Sequence, residues 1–242
     1  MAFTASDCEA LLKDPRSFLN GIYFTVAANC FKPSQSQEPD QLTFGEPERP
    51  QIAYRLIDVG SGGDSGMVRI PVYKLRKAKN TDSKAVIFDA YLVEYEEGKT
   101  PRTVLWNKAT LCFTANMNGC TFGIGSQIGP SDPVLVTHSN SQGMGSDDAR
   151  AQDQRSQANA VIGEGGALLE PHHYRTYEKQ ALTFGFRSTG QRWKFCYLSY
   201  RRFYNAFFNE ERGHKLSDDD TITTSYVTSY GVKDVTINAF KG

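Results

Sequence analysis

The stretch Leu111–Ser141, LCFTANMNGCTFGIGSQIGPSDPVLVTHSNS, has short apolar runs separated by turn-forming residues. One strand pattern ends near Thr114, and two more follow at Thr121–Gly125 and Val134–His138. Between these two lies a turn rich in Gly, Pro and Asp, which favours a chain reversal. The stretch therefore predicts neighbouring strands that bring the start of the first run close to the end of the second.

The same kind of pattern continues through most of the chain. Further strands are predicted at Gly21–Cys30, Ile52–Val59, Met67–Tyr73, Ala85–Tyr95, Thr103–Thr114, Tyr177–Gly185, Arg192–Tyr200, Thr221–Tyr230 and Val232–Ala239. Helical spacing occurs at Cys8–Leu19, with a break at Asp14–Pro15, and near Asp147–Ala160. Many short strands, few helices and no βαβ alternation predict an α+β fold, a mostly antiparallel β-sandwich with peripheral helices.

The length, the ordinary composition and the lack of any stretch that resembles a domain linker indicate one globular domain spanning residues 1–242. Lys plus Arg and Asp plus Glu number 27 each, which argues against a general nucleic-acid binder. No run approaches the about 18 apolar residues that span a bilayer, and the N-terminus does not resemble a secretory signal peptide. The five cysteines are too irregularly spaced for a disulfide framework or a zinc site, so no metal and no cofactor is expected.

Two loops and a histidine pair have ordinary structural interpretations. Lys32–Pro50, rich in Pro, Gln and Ser, is predicted to be a long surface loop. The glycine-rich Gly60–Gly66 lacks the Lys-Ser or Lys-Thr of a phosphate-binding loop and is predicted to connect a hairpin. His172 and His173 are expected to be loop histidines without a metal.

The candidate catalytic residues are Cys120 and His138. Asn118–Gly119 forms a turn in which glycine can take positive φ, so Cys120 can sit on a sharp bend near N–H groups suited to an oxyanion. A strand pair would return His138 to Cys120, and a histidine beside a cysteine favours the thiolate. Spacing alone leaves open that Cys120 is a buried structural thiol, the interpretation given to Cys112.

A resemblance strengthens the catalytic interpretation. Phe113–Cys120 (FTANMNGC), followed by Val136–His138 (VTH), resembles the active-site segment of the cytotoxic necrotizing factor deamidases and the Burkholderia lethal factor. That family has Leu-Ser-Gly-Cys where this chain has Met-Asn-Gly-Cys, and the Cys-to-His gap is longer here. Thr114 matches a threonine whose main-chain carbonyl orients the histidine, and Ile70–Lys74 (IPVYK) is similar to an upstream stretch. The likeness covers 30 to 70 residues at about the middle of the chain.

The resemblance implies a toxin-like, cysteine-dependent hydrolase that deamidates glutamine in a host protein, such as a small GTPase or a translation-initiation helicase. Cys120 would be the nucleophile, His138 the acid–base and Gly119 and Asn118 the oxyanion turn. Asn140 is a further candidate polar group, although a turn-forming role is favoured for it. The protein would be secreted or injected and act in the host cytosol.

Two other functions stay open at this point. One is a different thiol acyl-transfer enzyme, a cysteine protease or amidase. Papain-type enzymes place their cysteine at the start of a helix, whereas a strand pattern follows Cys120. The other is a non-enzymatic β-sandwich that binds a partner and keeps Cys120 buried and unreactive.

Overall fold

The predicted α+β class is confirmed by the computed structural model, which describes residues 2–27, 30, 38–47, 51–58, 65–82, 85–141, 146–163, 165–174, 180–204 and 225–235. The helices are α1 (Ala5–Lys13), α2 (Pro15–Asn20), α3 (Asp147–Ile162) and α4 (Pro171–Tyr174). The strands are β1 (Tyr23–Val26), β2 (Asp40–Gly45), β3 (Gln51–Asp58), β4 (Ser65–Ile70), β5 (Val72–Lys77), β6 (Phe88–Leu92), β7 (Arg102–Leu105), β8 (Leu111–Phe113), β9 (Thr121–Ile124), β10 (Val134–Ser139), β11 (Ala167–Leu169), β12 (Gln180–Phe186), β13 (Lys194–Tyr204) and β14 (Ser225–Asp234).

Two sheets organise these strands. The larger has the order β1-β5-β2-β6-β8-β12-β13-β14-β3-β4, and the smaller has the order β11-β9-β10-β7. The pairs β1–β5, β6–β8 and β3–β14 are parallel, and the other pairs between described strands are antiparallel. The expectation of mostly antiparallel sheets is therefore confirmed.

The N-terminal helices are separated at the predicted break, Asp14–Pro15, although α1 begins at Ala5, before the predicted start at Cys8. Thr4 caps α1 through a capping box with Asp7, which satisfies otherwise free N–H groups. Asp14 ends α1 and caps α2 with a hydrogen bond from the Ser17 N–H, and Pro15 occupies the first turn of α2, where its missing N–H costs nothing. No described helix is both long enough and apolar enough to cross a membrane.

The prediction that Lys32–Pro50 is a surface loop is wrong in its centre, where β2 pairs with β5 and β6. Leu42, Thr43 and Phe44 are buried, and Phe44 lies among other aromatic rings. The turn-rich composition on either side concealed this short apolar run, whose burial outweighs local propensity. The described part of the chain does not include residues 31–37 and 48–50. It also leaves out parts of other predicted elements, namely residues 59–64, 175–179, 221–224 and 236–239.

The described residues form two hydrophobic cores, one on each face of the larger sheet. β13 shows the alternation directly: Phe195 and Tyr197 belong to one core, while Cys196 and Leu198 belong to the other. The first core lies under α1 and α2, and the second fills the space between the two sheets. Phe122 of β9 meets Phe195 there, with ring centroids 6.0 Å apart. This sheet-on-sheet packing gives the sandwich its layered form.

Helix α3 covers the opposite face of the smaller sheet. It approaches closely because Gly123 of β9 has no side chain: a Cβ there would lie 2.8 Å from Thr137 Cγ2 and 3.1 Å from Ile162 Cγ2. The close approach allows the buried face of α3, which carries Gln154, Ala158 and Ile162, to reach β9 and the turn before it. The helix predicted at Asp147–Ala160 thereby helps to hold the candidate site.

Candidate active site

Cys120 and His138 lie on two neighbouring strands of the smaller sheet. Cys120 directly precedes β9, and His138 lies near the end of β10. Strands β9 and β10 are antiparallel, and His138 pairs directly with Phe122. Because side chains alternate along a strand, Cys120 shares the face of Phe122, and Asn140 shares the face of His138. The predicted strand pair therefore forms and brings the cysteine and the histidine to the same face of the smaller sheet.

His138 is completely buried, and its two ring nitrogens differ in their surroundings. Nδ1 lies 2.7 Å from the side-chain oxygen Oγ1 of Thr114. Nε2 is buried and makes no hydrogen bond with any residue in the described ranges. Burial lowers the pKa of His138 from its ordinary value of 6.5 to about 3. The imidazole is therefore neutral at physiological pH, with one ring nitrogen left unpaired.

This environment changes the chemistry expected from the sequence. A histidine that favours a thiolate does so as an imidazolium, and burial disfavours that cation here. No hydrogen bond joins Nε2 of His138 to Cys120 in the described structure, because Nε2 has no partner there. A neutral pair, in which the histidine takes the thiol proton only as the thiol attacks, fits the burial of His138.

Thr114 contacts the histidine through an atom that the resemblance did not indicate. The expected group was its main-chain carbonyl, but the 2.7 Å contact to Nδ1 is made by the hydroxyl. The Thr114 N–H donates to the carbonyl of Thr183 on β12, which fixes the segment just after β8 against the larger sheet. Thr114 therefore links the orientation of the imidazole to the backbone of the larger sheet.

Gly119 has the positive φ predicted for the turn, +85°. Its N–H donates to the hydroxyl of Tyr174, 3.1 Å away, and that hydroxyl donates to the Cys120 carbonyl at 2.7 Å. The Gly119 carbonyl accepts from Nε2 of Gln154, whose Oε1 accepts from Thr121 Oγ1. Helices α3 and α4 thus clamp both sides of the cysteine turn, and the Gly119 N–H is already used rather than directed at an oxyanion.

A small polar cleft opens onto Cys120. Its volume is about 410 Å³, and Cys120 is 5% exposed within it. The residues lining it are Tyr95, Asn116, Asn118, Cys120, Asn140, Ser141 and Arg150. The predicted residues Asn118, Cys120 and Asn140 are therefore brought together in one cleft.

No protein-family model matches this chain, and no curated protein is significantly similar to it.

Tyr95 is the main site residue that sequence reasoning missed. Its ring centroid lies 4.8 Å from that of His138, and its hydroxyl accepts a hydrogen bond of 2.8 Å from Nδ2 of Asn140. Burial and the nearby charge of Cys120 raise the pKa of Tyr95. The phenol therefore stays protonated. Asn140, for which a turn-forming role was favoured, also has a hydrogen-bond partner in the cleft.

Three carboxamide side chains line the cleft, and one of them has an unmet hydrogen-bonding capacity. Oδ1 of Asn116 is buried without a hydrogen-bond partner among the described residues. Buried polar atoms are nearly always paired, so such an atom in the cleft of Cys120 is a candidate contact for a ligand N–H. Asn118 is exposed at the mouth, where it can contact a larger substrate.

Metal-ligand groupings are not seen within the described ranges, where no three His, Cys, Asp or Glu side chains could hold an ion together. His172 and His173 lie in α4 with ring centroids 3.9 Å apart, and Nδ1 of His173 accepts from the Glu170 N–H. Their position in a short helix differs from the expected loop.

Only some of the supporting residues had a sequence signal. Gln154, Ala158 and Ile162 recur at four-residue spacing, which predicts one buried helix face and makes a glutamine on that face notable. Tyr95 and Tyr174 are two of 12 tyrosines, and nothing in their local sequence distinguishes them. Their roles depend on chain segments that meet only in the folded protein.

Proposed function

We propose that this protein is a cysteine-dependent hydrolase that deamidates glutamine side chains of a protein substrate, with Cys120 as the nucleophile and His138 as the acid–base. The observation that carries the proposal is the unpaired Nε2 of a fully buried His138, on the same sheet face as Cys120. An unsatisfied buried nitrogen costs the protein about 1–3 kcal/mol, and accepting the proton of the attacking thiol gives this nitrogen a function.

For Nε2 to act as a base, the hydrogen of the neutral imidazole must sit on Nδ1. The Thr114 hydroxyl oxygen then accepts that hydrogen over 2.7 Å, which leaves the lone pair of Nε2 free to accept a proton. The same threonine is bound to the larger sheet, so the ring is held by a rigid element. Thr114 is thus a positioning residue in the proposal.

The reaction balances through one thioester. Cys120 Sγ bonds to the carboxamide carbon while its proton passes to His138 Nε2, and the carbonyl electrons move onto oxygen. The carbonyl then re-forms, the C–N bond breaks, and ammonia leaves with the proton held by His138. Water attacks the thioester with His138 again as base, and the thiol leaves with that proton, so glutamine and water become glutamate and ammonia.

The lining of the cleft supports a primary carboxamide as the reacting group. A primary amide has two N–H donors and one carbonyl acceptor, which can pair with the unsatisfied Oδ1 of Asn116 and with neighbouring amides. The cleft is small, so a single side chain entering it fits better than a continuous polypeptide. A protein substrate in a host cell, as the resemblance implies, is part of the proposal.

The strand after Cys120 also bears on the competing thiol enzymes. Cys120 directly precedes β9 and does not begin a helix, so its thiol lacks the helix N-terminus of papain-type nucleophiles. Activation must come from His138 and from the cleft.

The test is incubation of the full-length protein with an animal-cell lysate, followed by peptide mass spectrometry. Deamidation gives glutamines converted to glutamate, with heavy oxygen incorporated when the water is enriched in it. A Cys120→Ser variant is the matched control, since it keeps the size and polarity of the side chain. New peptide ends without converted glutamines would identify a protease instead, and no difference from Cys120→Ser would refute the proposal.

A further inference from the structure

The proposed reaction puts negative charge on the carbonyl oxygen, yet the turn beside Cys120 offers less support for it than expected. The N–H of Gly119 donates to Tyr174, as described above. Removing one donor from an oxyanion site lowers the rate by about 100-fold or more, so another donor near the thiol matters.

The Tyr95 hydroxyl is placed to be that donor. Its oxygen accepts from Asn140 Nδ2 at 2.8 Å, the one hydrogen bond found on this oxygen within the described part of the chain. A phenol that accepts one hydrogen bond still has its own O–H to donate. The hydrogen bond from Asn140 fixes the position of the phenol oxygen. Rotation about the C–O bond then lets the O–H point into the cleft that Tyr95 and Cys120 both line.

The backbone around Tyr95 is also held. Tyr95 lies just after β6, and the two residues between them are hydrogen-bonded. The Val93 N–H donates to the Phe113 carbonyl, and the Glu94 N–H donates to Thr103 Oγ1 at 3.1 Å. The ring lies against His138, with centroids 4.8 Å apart. A donor held on both its backbone and its hydroxyl needs little reorganisation when charge develops, which is the condition for strong electrostatic catalysis.

We infer that Tyr95, oriented by Asn140, donates its O–H to the oxyanion formed when Cys120 attacks a carbonyl carbon. The inference rests on the proposed thiol chemistry of Cys120. The proximity of thiol and phenol agrees with the influence of Cys120 on the pKa of Tyr95, which is raised and keeps the donor hydrogen in place. Neither the resemblance nor the spacing of residues had indicated a tyrosine.

Two reagents separate an oxyanion donor from a residue that merely supports the thiol. Acylation of Cys120 by p-nitrophenyl acetate passes through a tetrahedral oxyanion, whereas alkylation by iodoacetamide displaces iodide and forms none. Both reactions of the full-length protein are followed by peptide mass spectrometry at Cys120, with Cys120→Ser as background. Tyr95→Phe keeps the ring against His138 and removes only the hydroxyl.

The expected result is that Tyr95→Phe slows acylation about 100-fold and changes alkylation by less than about twofold. Asn140→Ala should slow acylation less, because the phenol remains but is no longer oriented. Equal losses in both reactions, or no loss in either, would overturn the role of Tyr95 while leaving Cys120 as the nucleophile. Alkylation of wild-type Cys120 without any acylation would instead refute the proposed acyl chemistry, and the inference with it.

Discussion

The buried, neutral state of His138 makes the stability of the protein depend on pH in a specific way. In the unfolded chain the histidine takes up a proton near its ordinary pKa of 6.5, whereas in the folded protein burial lowers the pKa to about 3. Between these values the unfolded state binds more protons, so stability falls as the pH falls. Above about pH 6.5 His138 is neutral in both states and does not lower the free energy of unfolding. Below that pH the free energy of unfolding falls progressively until about pH 3, where the folded protein also takes up the proton.

From about pH 7.5 to about pH 5, these two pKa values predict a loss of about 2 kcal/mol from His138 alone. His138→Gln does not titrate, so it isolates this contribution from those of the carboxylates. Urea unfolding of both proteins, followed by far-ultraviolet circular dichroism at the two pH values, gives the difference. We expect the stability gap between wild type and variant to shift by about 2 kcal/mol in favour of the variant at the lower pH.

A shift below about 0.5 kcal/mol would refute the neutral, desolvated histidine and favour a stable thiolate–imidazolium pair. The carbon-bound ring proton of His138, followed by NMR over the same range, is a direct check that needs no variant. It should keep one chemical shift over this range, because the imidazole stays neutral. A midpoint near 6.5 for His138 would contradict the environment described here.

Three substitutions test how the site is held. Thr114→Val should lower the acylation rate of the cleft thiol at least about tenfold, and Thr114→Ser should keep most of it, because only the hydroxyl pairs with the imidazole. Gly119→Ala should destabilise the fold by about 1–2 kcal/mol and slow acylation, as measured by urea unfolding and mass spectrometry. Its control, Gly98→Ala, also has positive φ but should change only stability, and equal acylation in both would contradict the positioning role of the turn. Gln154→Leu should cost about 1–3 kcal/mol by leaving Thr121 and the turn carbonyl unpaired, whereas exposed Gln152→Leu should be nearly neutral; similar melting temperatures for these two would argue against the clamp.

The class of the fold and the position of the strand pair at the cleft could be predicted from local sequence. Val134 and Val136 alternate with other residues and mark one face of a strand that His138 continues, and that face is buried in the structure. The Asn-Gly turn before Cys120 predicted positive φ, which is present. The strand β2 could not be predicted, because six residues amid turn-forming composition carry too little local signal.

The function of the cleft residues divides in the same way. That Cys120 is the nucleophile and His138 its base are predictions that only chemistry in solution can test. Two expected contacts differ in the structure. The Thr114 hydroxyl, rather than its carbonyl, contacts the imidazole, and the Gly119 N–H donates to Tyr174 rather than being free for an oxyanion. Sequence motifs identify residue types at fixed spacing, but they do not show which hydrogen-bonding groups are already paired.

By itself, the sequence determined the strands β9 and β10 and the turn that presents Cys120, since these depend on neighbours along the chain. Only the tertiary structure decided that His138 is buried and neutral, and that Tyr95 and Gln154 converge on the cysteine turn. Desolvation and long-range hydrogen bonds arise when distant segments pack together, here α3 and the β6–β7 connection around β9 and β10. These contacts are absent from any local stretch of the chain, and they set the protonation state on which the proposed chemistry depends.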